Sequence, residues 1–486
     1  MCQVNSASAS TALEPVHVLG ARGSIGVSSA TCPTLPPLAL SASESEALDA
    51  VPFDFFAFPQ VSNPTPISVP RLALLLEGYP VEMSAFLVNG FSYGFHIGFQ
   101  SDPPSGPVRN NKSAFSQPDA VSSSILKELR RGHTAGPFKT PPLSSLHRSP
   151  LGSPPKKDGT LRIILDLSFP QGSSVNDGIP IESCRVKYTS FDTAVNTVQA
   201  IGKHCFMAKV DIKHAFRLCP VHPDDWKLLG YKWRDRWYYD VRLPFGSRSS
   251  PFIFNAFADA LAWILVEKFG IPGTTHYLDD FLFPAPSFET CNSRLSTVRG
   301  VFKHLGVPIA EDKLEGPAST MTYLGIEIDA ENGIMRLPSD KLSQLRSLVL
   351  EWTEKRKCTK HSLLSLIGSL SFACKVVKPG RTFLRRLIDL STKVKGLYHH
   401  IDITADTRED LRVWRMFLTS WNGQSFIPEP PVTSLALELF TDASQLGYSG
   451  FFKGQWFSEP WPSHPDGHIA CLEFFCSLYS GFHMEL

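Results

Sequence analysis

His276–Phe283 reads HYLDDFLF. Two adjacent carboxylates, Asp279 and Asp280, are set between an aromatic-aliphatic pair and a run of Phe and Leu. Like charges side by side repel, and an apolar, strand-forming neighbourhood makes that repulsion costlier by removing water. A positive charge is needed to balance them. The stretch itself reads as strand, tight turn, strand.

Outward from it, "CFMAKVDIKHAFRLCPV" (205–221) predicts a strand that runs into Asp211. "SFDTAVNTVQAIG" (190–202) has a Ser cap, apolar residues at helical spacing and a closing Gly. "LPFGSRSSPFIFNAFADALAWILVEKFG" (243–270) is a Gly/Ser turn followed by a long apolar helix starting near Pro251. Downstream, "SFETCNSRLSTVRGVFKHLG" (287–306) puts Cys291, Leu295, Val298, Phe302 and Leu305 on one helical face. "MTYLGIEID" (321–329) reads as one more strand, turning at "AENG". This order predicts an α+β domain with helices over one face of an antiparallel sheet. Neighbouring strands would then carry Asp211 to Asp279 and Asp280.

Three such carboxylates suit phosphoryl transfer with two hard cations, Mg²⁺ or Mn²⁺, about 3.5–4 Å apart. The cations would offset the repulsion between the aspartates. Each signal alone has an ordinary explanation, since Asp favours turns and also ends strands.

The chain has 486 residues, 43% of them hydrophobic and 19% charged, which describes a folded chain of two or three domains rather than a disordered one. A net charge of +1 says nothing about partners, so local charge has to be read instead. Ten cysteines without a CxxC pair fit reduced thiols in an intracellular protein, cytoplasmic or nuclear. No apolar run reads as long as the roughly 18 residues that span a bilayer, so no membrane partner is expected.

Residues 1–65 hold Arg22 as the one base against five acids and show no period, which predicts a disordered leader. "AVSSSILKELRRG" (120–132) predicts a helix ended by Gly132. In "KKDGTLRIILDLS", Lys156 and Lys157 stand on a hairpin turn with Arg162 on the following strand, a basic loop able to fold over phosphates or an ordinary solvated turn. From 341 to 400, thirteen Lys or Arg face three acids on two helical patterns, a surface able to track a nucleic-acid backbone or a solvated helical face. "LALELFTDASQLGYSGFFKGQWF" (435–457) alternates like a hairpin with Asp442 in a strand, and Glu473 falls on a helix opening at 468–481.

Taken together and in order, these segments resemble a reverse transcriptase. "VDIKHAF" resembles the first palm motif of that family, "LPFGSRSSPFIFN" the second, "YLDD" the third, "TYLG" the turn that grips the primer, and "KKDGTLRIILDLS" the fingers segment. "FTDAS" with "LEFF" resembles the start of a ribonuclease H domain. "GFHIGF", "SSVNDGIP", "KYTSFDTAV" and "FRLCPVHPDDW" are most similar to DIRS-like retrotransposons, the branch that integrates through a tyrosine recombinase.

The resemblance implies a right-hand polymerase fold. Residues 66–204 would form the N-terminal segment and fingers, 205–335 the palm with a fingers insert at about 217–240, 336–425 a basic helical thumb or connection, and 435–486 a truncated ribonuclease H-like segment. It implies metal ligands at Asp211, Asp279, Asp280 and the carbonyl of Ile212, and a Lys313 that protonates departing pyrophosphate. Lys156 or Lys157, with Arg162, would hold the triphosphate of a deoxynucleotide. Phe216 would exclude a 2′-hydroxyl, and Gly246 would let the backbone approach the base pair. Phe245 stands where retroviral members commonly carry Gln, which alters contacts to template and nucleotide. Tyr277, Tyr323, Leu324 and Gly325 would hold the primer end. Asp442 and Glu473 match two of the four acids that a ribonuclease H site needs.

The implied partners are an RNA or DNA template-primer, deoxynucleoside triphosphates and other proteins of the same element. A second reading is a catalytically idle or domesticated remnant that binds nucleic acid through 341–400. A third, an RNA-copying RNA polymerase, predicts that replacing Phe216 changes little.

Overall fold

The strand Phe206–Asp211 (β1) runs through the middle of a four-stranded antiparallel sheet and is paired on both sides. Its neighbours are Thr275–Tyr277 (β2), Asp280–Ala285 (β3) and Glu315–Ala318 (β4), in the order β2-β3-β1-β4. The computed structural model describes residues 65–101, 108–153, 163–420, 422–425, 440–452, 454–461 and 472. Lys156, Lys157, Arg162, Glu473 and residues 1–64 of the predicted leader lie outside the described residues.

Both faces of this sheet are covered, because β1 and β3 are apolar almost throughout instead of alternating with polar residues. Ala208, Val210, Phe281 and Phe283 point into one core, shared with the helices Ser250–Trp263 and Phe288–Leu305. Met207 and Leu282 point into a second core, with Phe191, Ala194, Val195 and Val198 of the helix Phe191–Ile201. The expectation of helices over a single face is therefore corrected: the helix at 191–201 packs on the opposite face from the helix at 288–305. Cys291, Leu295, Val298, Phe302 and Leu305 are all buried, as the helical spacing predicts.

The first core extends into a separate three-stranded sheet in which Arg236–Asp240 lies between Thr134–Phe138 and Gly230–Trp233, flanked by the helix Pro118–Arg130. The second core continues into the helices Ser339–Glu354, Lys360–Ala373 and Ala405–Ser420, packed around the fully buried Trp414.

The segment 321–329 is a hairpin and not one strand: Thr320–Tyr323 pairs antiparallel with Ile326–Asp329 in the register Tyr323↔Ile326. Leu324 and Gly325 make the two-residue loop, with φ of 46° and 82°. Two positive φ values in sequence are the pattern of a type I′ hairpin turn, and Gly at the second position eases it. Apolar residues alternate at 321 and 323 and again at 326 and 328, but the pattern shifts phase by one across the loop, a signal that the single-strand reading passed over.

A further correction concerns apolar length. Among the described residues one helical stretch, Ser250–Lys268, is long and apolar enough to cross a membrane, and 61% of it is buried inside the fold. It is a core helix. At the far end, Phe440–Ala443, Gly447–Phe452 and Gln455–Pro460 form a three-stranded antiparallel meander, with Asp442 opposite Ser449.

Candidate active site

β1 and β3 run antiparallel in a register that sets Asp211 directly opposite Asp280. Paired residues in such a ladder have Cα atoms about 4.5–5.5 Å apart. The hairpin β2–β3 closes through Leu278 and Asp279, since Tyr277 pairs with Asp280. Leu278 takes φ 54°, a positive value at the first loop position as in a type II′ turn, where glycine is the usual occupant. The Ile212 amide donates to the Asp279 carbonyl at 3.0 Å, so the turn is tied to the end of β1. Three carboxylates from two distant parts of the chain thus share one place.

Burial, and then the charges of Asp211 and Asp280, push the Asp279 carboxyl up to about 6. Asp280 is raised for the same reasons, burial first and Asp211 second. Lys313 Nζ donates to Asp211 Oδ2 at 3.0 Å, and that hydrogen bond raises the ammonium above its ordinary range. Among the described residues no three His, Cys, Asp or Glu side chains are closed into ligand geometry. What the fold gathers is a set of hard oxygen donors, of which the Asp279 and Asp280 carboxyls have their pKa values raised by burial first and by neighbouring carboxylates second. A divalent cation relieves the repulsion among them, so the donor set fits one.

Asp211 and Asp279 open onto a cleft of about 970 Å³. Phe216, Phe245 and Lys313 line it beside Asp211 and Asp279. The Phe216 ring packs against Phe245 at 5.3 Å and Phe254 at 5.7 Å between centroids, which fixes its orientation. Gly246 has φ 113°, and a Cβ there would overlap the Leu165 carbonyl. Asn176 clamps the same turn, donating to the Gly246 carbonyl at 2.8 Å and accepting from the Arg248 amide at 2.8 Å. Tyr277 stacks on Tyr188 at 5.0 Å. Tyr323 is buried and its hydroxyl donates to the Asp280 carbonyl at 3.2 Å, so the Leu324–Gly325 turn is fastened to the aspartate hairpin. Asp442 lies on the exposed meander at 440–460 and does not line this cleft.

Sequence reasoning missed the opposite wall, formed by the helix Pro118–Arg130, which presents Lys127 and the following Arg131 to the cleft. Their spacing of four was the available signal. It also missed Arg217, which is buried, hydrogen-bonded to Asp240 at 2.8 Å and ion-paired with Glu128 at 3.1 Å. Burial pushes the Glu128 carboxyl up, but His133, Arg217 and Arg131 together outweigh it and hold it at about 2. His214, at φ 63° between Asp211 and Phe216, is pushed down to about 4 by burial and then by Arg131 and His133.

Residues 155–328 match the family described as "Reverse transcriptase (RNA-dependent DNA polymerase)". The chain is similar to the Gag-Pol polyprotein of woolly monkey sarcoma virus, 27% identical over 134 residues, which is 25% of this chain and 8% of that polyprotein. It is also similar to the Gag-Pro-Pol polyprotein of mouse mammary tumor virus (strain BR6), 22% identical over 268 residues, which is 52% of this chain and 14% of that one. The chain therefore spans a small part of the curated relatives it matches. Among solved structures, a foamy viral protease-reverse transcriptase in complex with double-stranded DNA aligns over 91% of this chain and 76% of its own, at 17% identity and a TM-score of 0.53. At that identity the likeness shows the fold alone, a polymerase fold of mixed α and β content.

Proposed function

We propose that this chain, whose residues 155–328 match the reverse transcriptase family, is an RNA-directed DNA polymerase that extends a primer on an RNA or DNA template. The observation that carries the reading is the direct pairing of Asp211 with Asp280, with Asp279 on the adjoining turn and Phe216 and Phe245 in the same cleft. Two Mg²⁺ or Mn²⁺ ions, held by Asp211, Asp279, Asp280 and the Ile212 carbonyl, would supply activation of the primer hydroxyl and charge neutralisation at the leaving group.

The chain's own residues do the rest. Lys313, held protonated beside Asp211, provides a proton and a positive charge for departing pyrophosphate. The braced Phe216 ring stands against a 2′-hydroxyl and selects deoxynucleotides. Lys156 or Lys157, with Arg162, holds the triphosphate as charge-assisted donors. Gly246 and Ser247 let the backbone approach the new base pair, Phe245 alters the contacts to template and nucleotide, and Tyr277 with the Tyr323–Gly325 turn seats the primer end. We read the source as a retrotransposon of the DIRS-like branch, a reading supported by the wording of "GFHIGF", "SSVNDGIP", "KYTSFDTAV" and "FRLCPVHPDDW".

Primer extension on a homopolymer RNA template with Mg²⁺ or Mn²⁺ tests the proposal. Asp279→Asn should lower incorporation on the order of 10²–10³-fold, the scale of losing one preorganised electrostatic contact to the transition state. Template binding by the wild type without incorporation would instead establish the remnant reading.

A further inference from the structure

The turn Leu324–Gly325 is held by two lysines that the polymerase reading leaves without a role. Lys209 lies on β1 two positions before Asp211, and its Nζ donates to the Thr322 carbonyl at 3.1 Å and to Glu315 Oε1 at 2.8 Å. Lys341 comes from the first turn of the helix Ser339–Glu354, and its Nζ donates to the Gly325 carbonyl at 3.0 Å. The same ammonium sits over the Phe372 ring, 5.0 Å from its centroid, in the next helix. A side chain at Gly325 would overlap Lys341 Nζ, so this glycine serves both its positive φ and the lysine's access. The Tyr323 hydroxyl supplies a third tie, to the Asp280 carbonyl.

These bonds run from one small hairpin to three bodies: the strand of Asp211, the strand of Asp280 and the helical region. A carbonyl that accepts from an ammonium is fixed more firmly than one that accepts from water. We propose that Lys209 and Lys341 are positioning residues that fix the Leu324–Gly325 turn at a set offset from the aspartates, and that this offset places the 3′ end of a nucleic-acid primer. The inference rests on the polymerase reading and adds to it the residues that set primer geometry. Lys341 in particular makes the placement depend on how the helical region sits against the sheet.

The test uses the full chain with Lys209→Met, Lys341→Met and Lys341→Arg, each checked first for an unchanged melting curve. Hydrogen exchange of the segment 320–329 reports whether the turn has loosened. Steady-state extension of a DNA primer on an RNA template reports how it is used. Lys341→Met should speed exchange at the turn and raise the KM for primer-template roughly tenfold, the scale of losing a hydrogen bond from a charged donor. The nucleotide KM should stay within about twofold, and Lys341→Arg should restore most of the loss.

Unchanged exchange, or a loosened turn with unchanged primer use, overturns the proposal. If the wild type extends no primer, the polymerase reading falls separately, and 2-aminopurine fluorescence at the 3′ end of the bound primer decides the matter. A signal lost in Lys341→Met then supports the positioning role, and a signal identical to the wild type overturns it. Should Lys341→Met fail to fold, Lys341→Gln, which keeps a neutral donor, takes its place in every arm.

Discussion

Asp279 pairs a raised pKa with a strained neighbour, Leu278 at φ 54°. Its folded pKa of about 6 lies above the ordinary carboxyl value of 3.8, so the folded chain holds a proton that the unfolded chain releases. Stability from this group is therefore fully present below the unfolded pKa and is lost as pH rises through about 6. Asp279→Asn should stabilise the chelator-treated protein at pH ~7.5 by about 1–2 kcal/mol, with the gain shrinking toward pH ~4. Thermal melts in chelator at the two pH values check this. Phe216 supports a second prediction at the same scale. Phe216→Val leaves Phe245 and Phe254 in place and opens space at the sugar, so the preference for deoxy- over ribonucleotides should fall by tenfold or more, on the order of 1.4 kcal/mol, in competitive incorporation assays. At this scale the sequence was readable where function puts like charges together, as at Asp279 and Asp280. It was silent where a residue acts through a partner far along the chain. Arg217 meets Glu128 and Asp240 only in the fold, and nothing around it in the sequence marks those partners.

Elements that carry the site are held by turns more than by strand propensity. Gly246→Ala would place a methyl group against the Leu165 carbonyl at φ 113°, and should cost on the order of 3 kcal/mol in denaturant unfolding. Arg217 joins the helix Pro118–Arg130 and the strand Arg236–Asp240 to the turn that bears Phe216. Arg217→Met strands the buried Asp240 and leaves the half-buried Glu128 with only His133 and Arg131, so a loss of about 3–5 kcal/mol is expected in the same measurement. The helices at 191–201 and 288–305 were legible because caps and apolar spacing agree there. The hairpin at 320–329 was not, because its mark in the sequence is a phase shift of one residue between Tyr323 and Ile326, and Leu324 takes a conformation that leucine rarely adopts. Helices on both faces of the site sheet were missed for a related reason. A strand with both faces buried has no alternation to reveal which side is covered.

Across the whole molecule the site sheet serves two cores at once, one built from residues between Ile67 and Val307 and the other from residues between Phe191 and Leu418. β1 is paired on both edges and covered on both faces, so its amides should be the last to exchange with deuterium, and the meander at 440–460 should exchange early. Exchange profiles read by mass spectrometry check that order. The polymerase fold was legible as collinear motifs, while the interleaving of the two cores was not, because no short stretch records which later helix will cover a sheet face. That interleaving bears on synthesis. A nascent chain that has emerged as far as Arg336 already contains every aspartate of the cleft, yet Met207, Leu282 and the apolar side of the 191–201 helix still await Leu363, Leu366 and Trp414. Until those arrive the ribosome carries a sticky half-built product, and a gene fragment cut at that point would yield aggregate, however complete its catalytic residues.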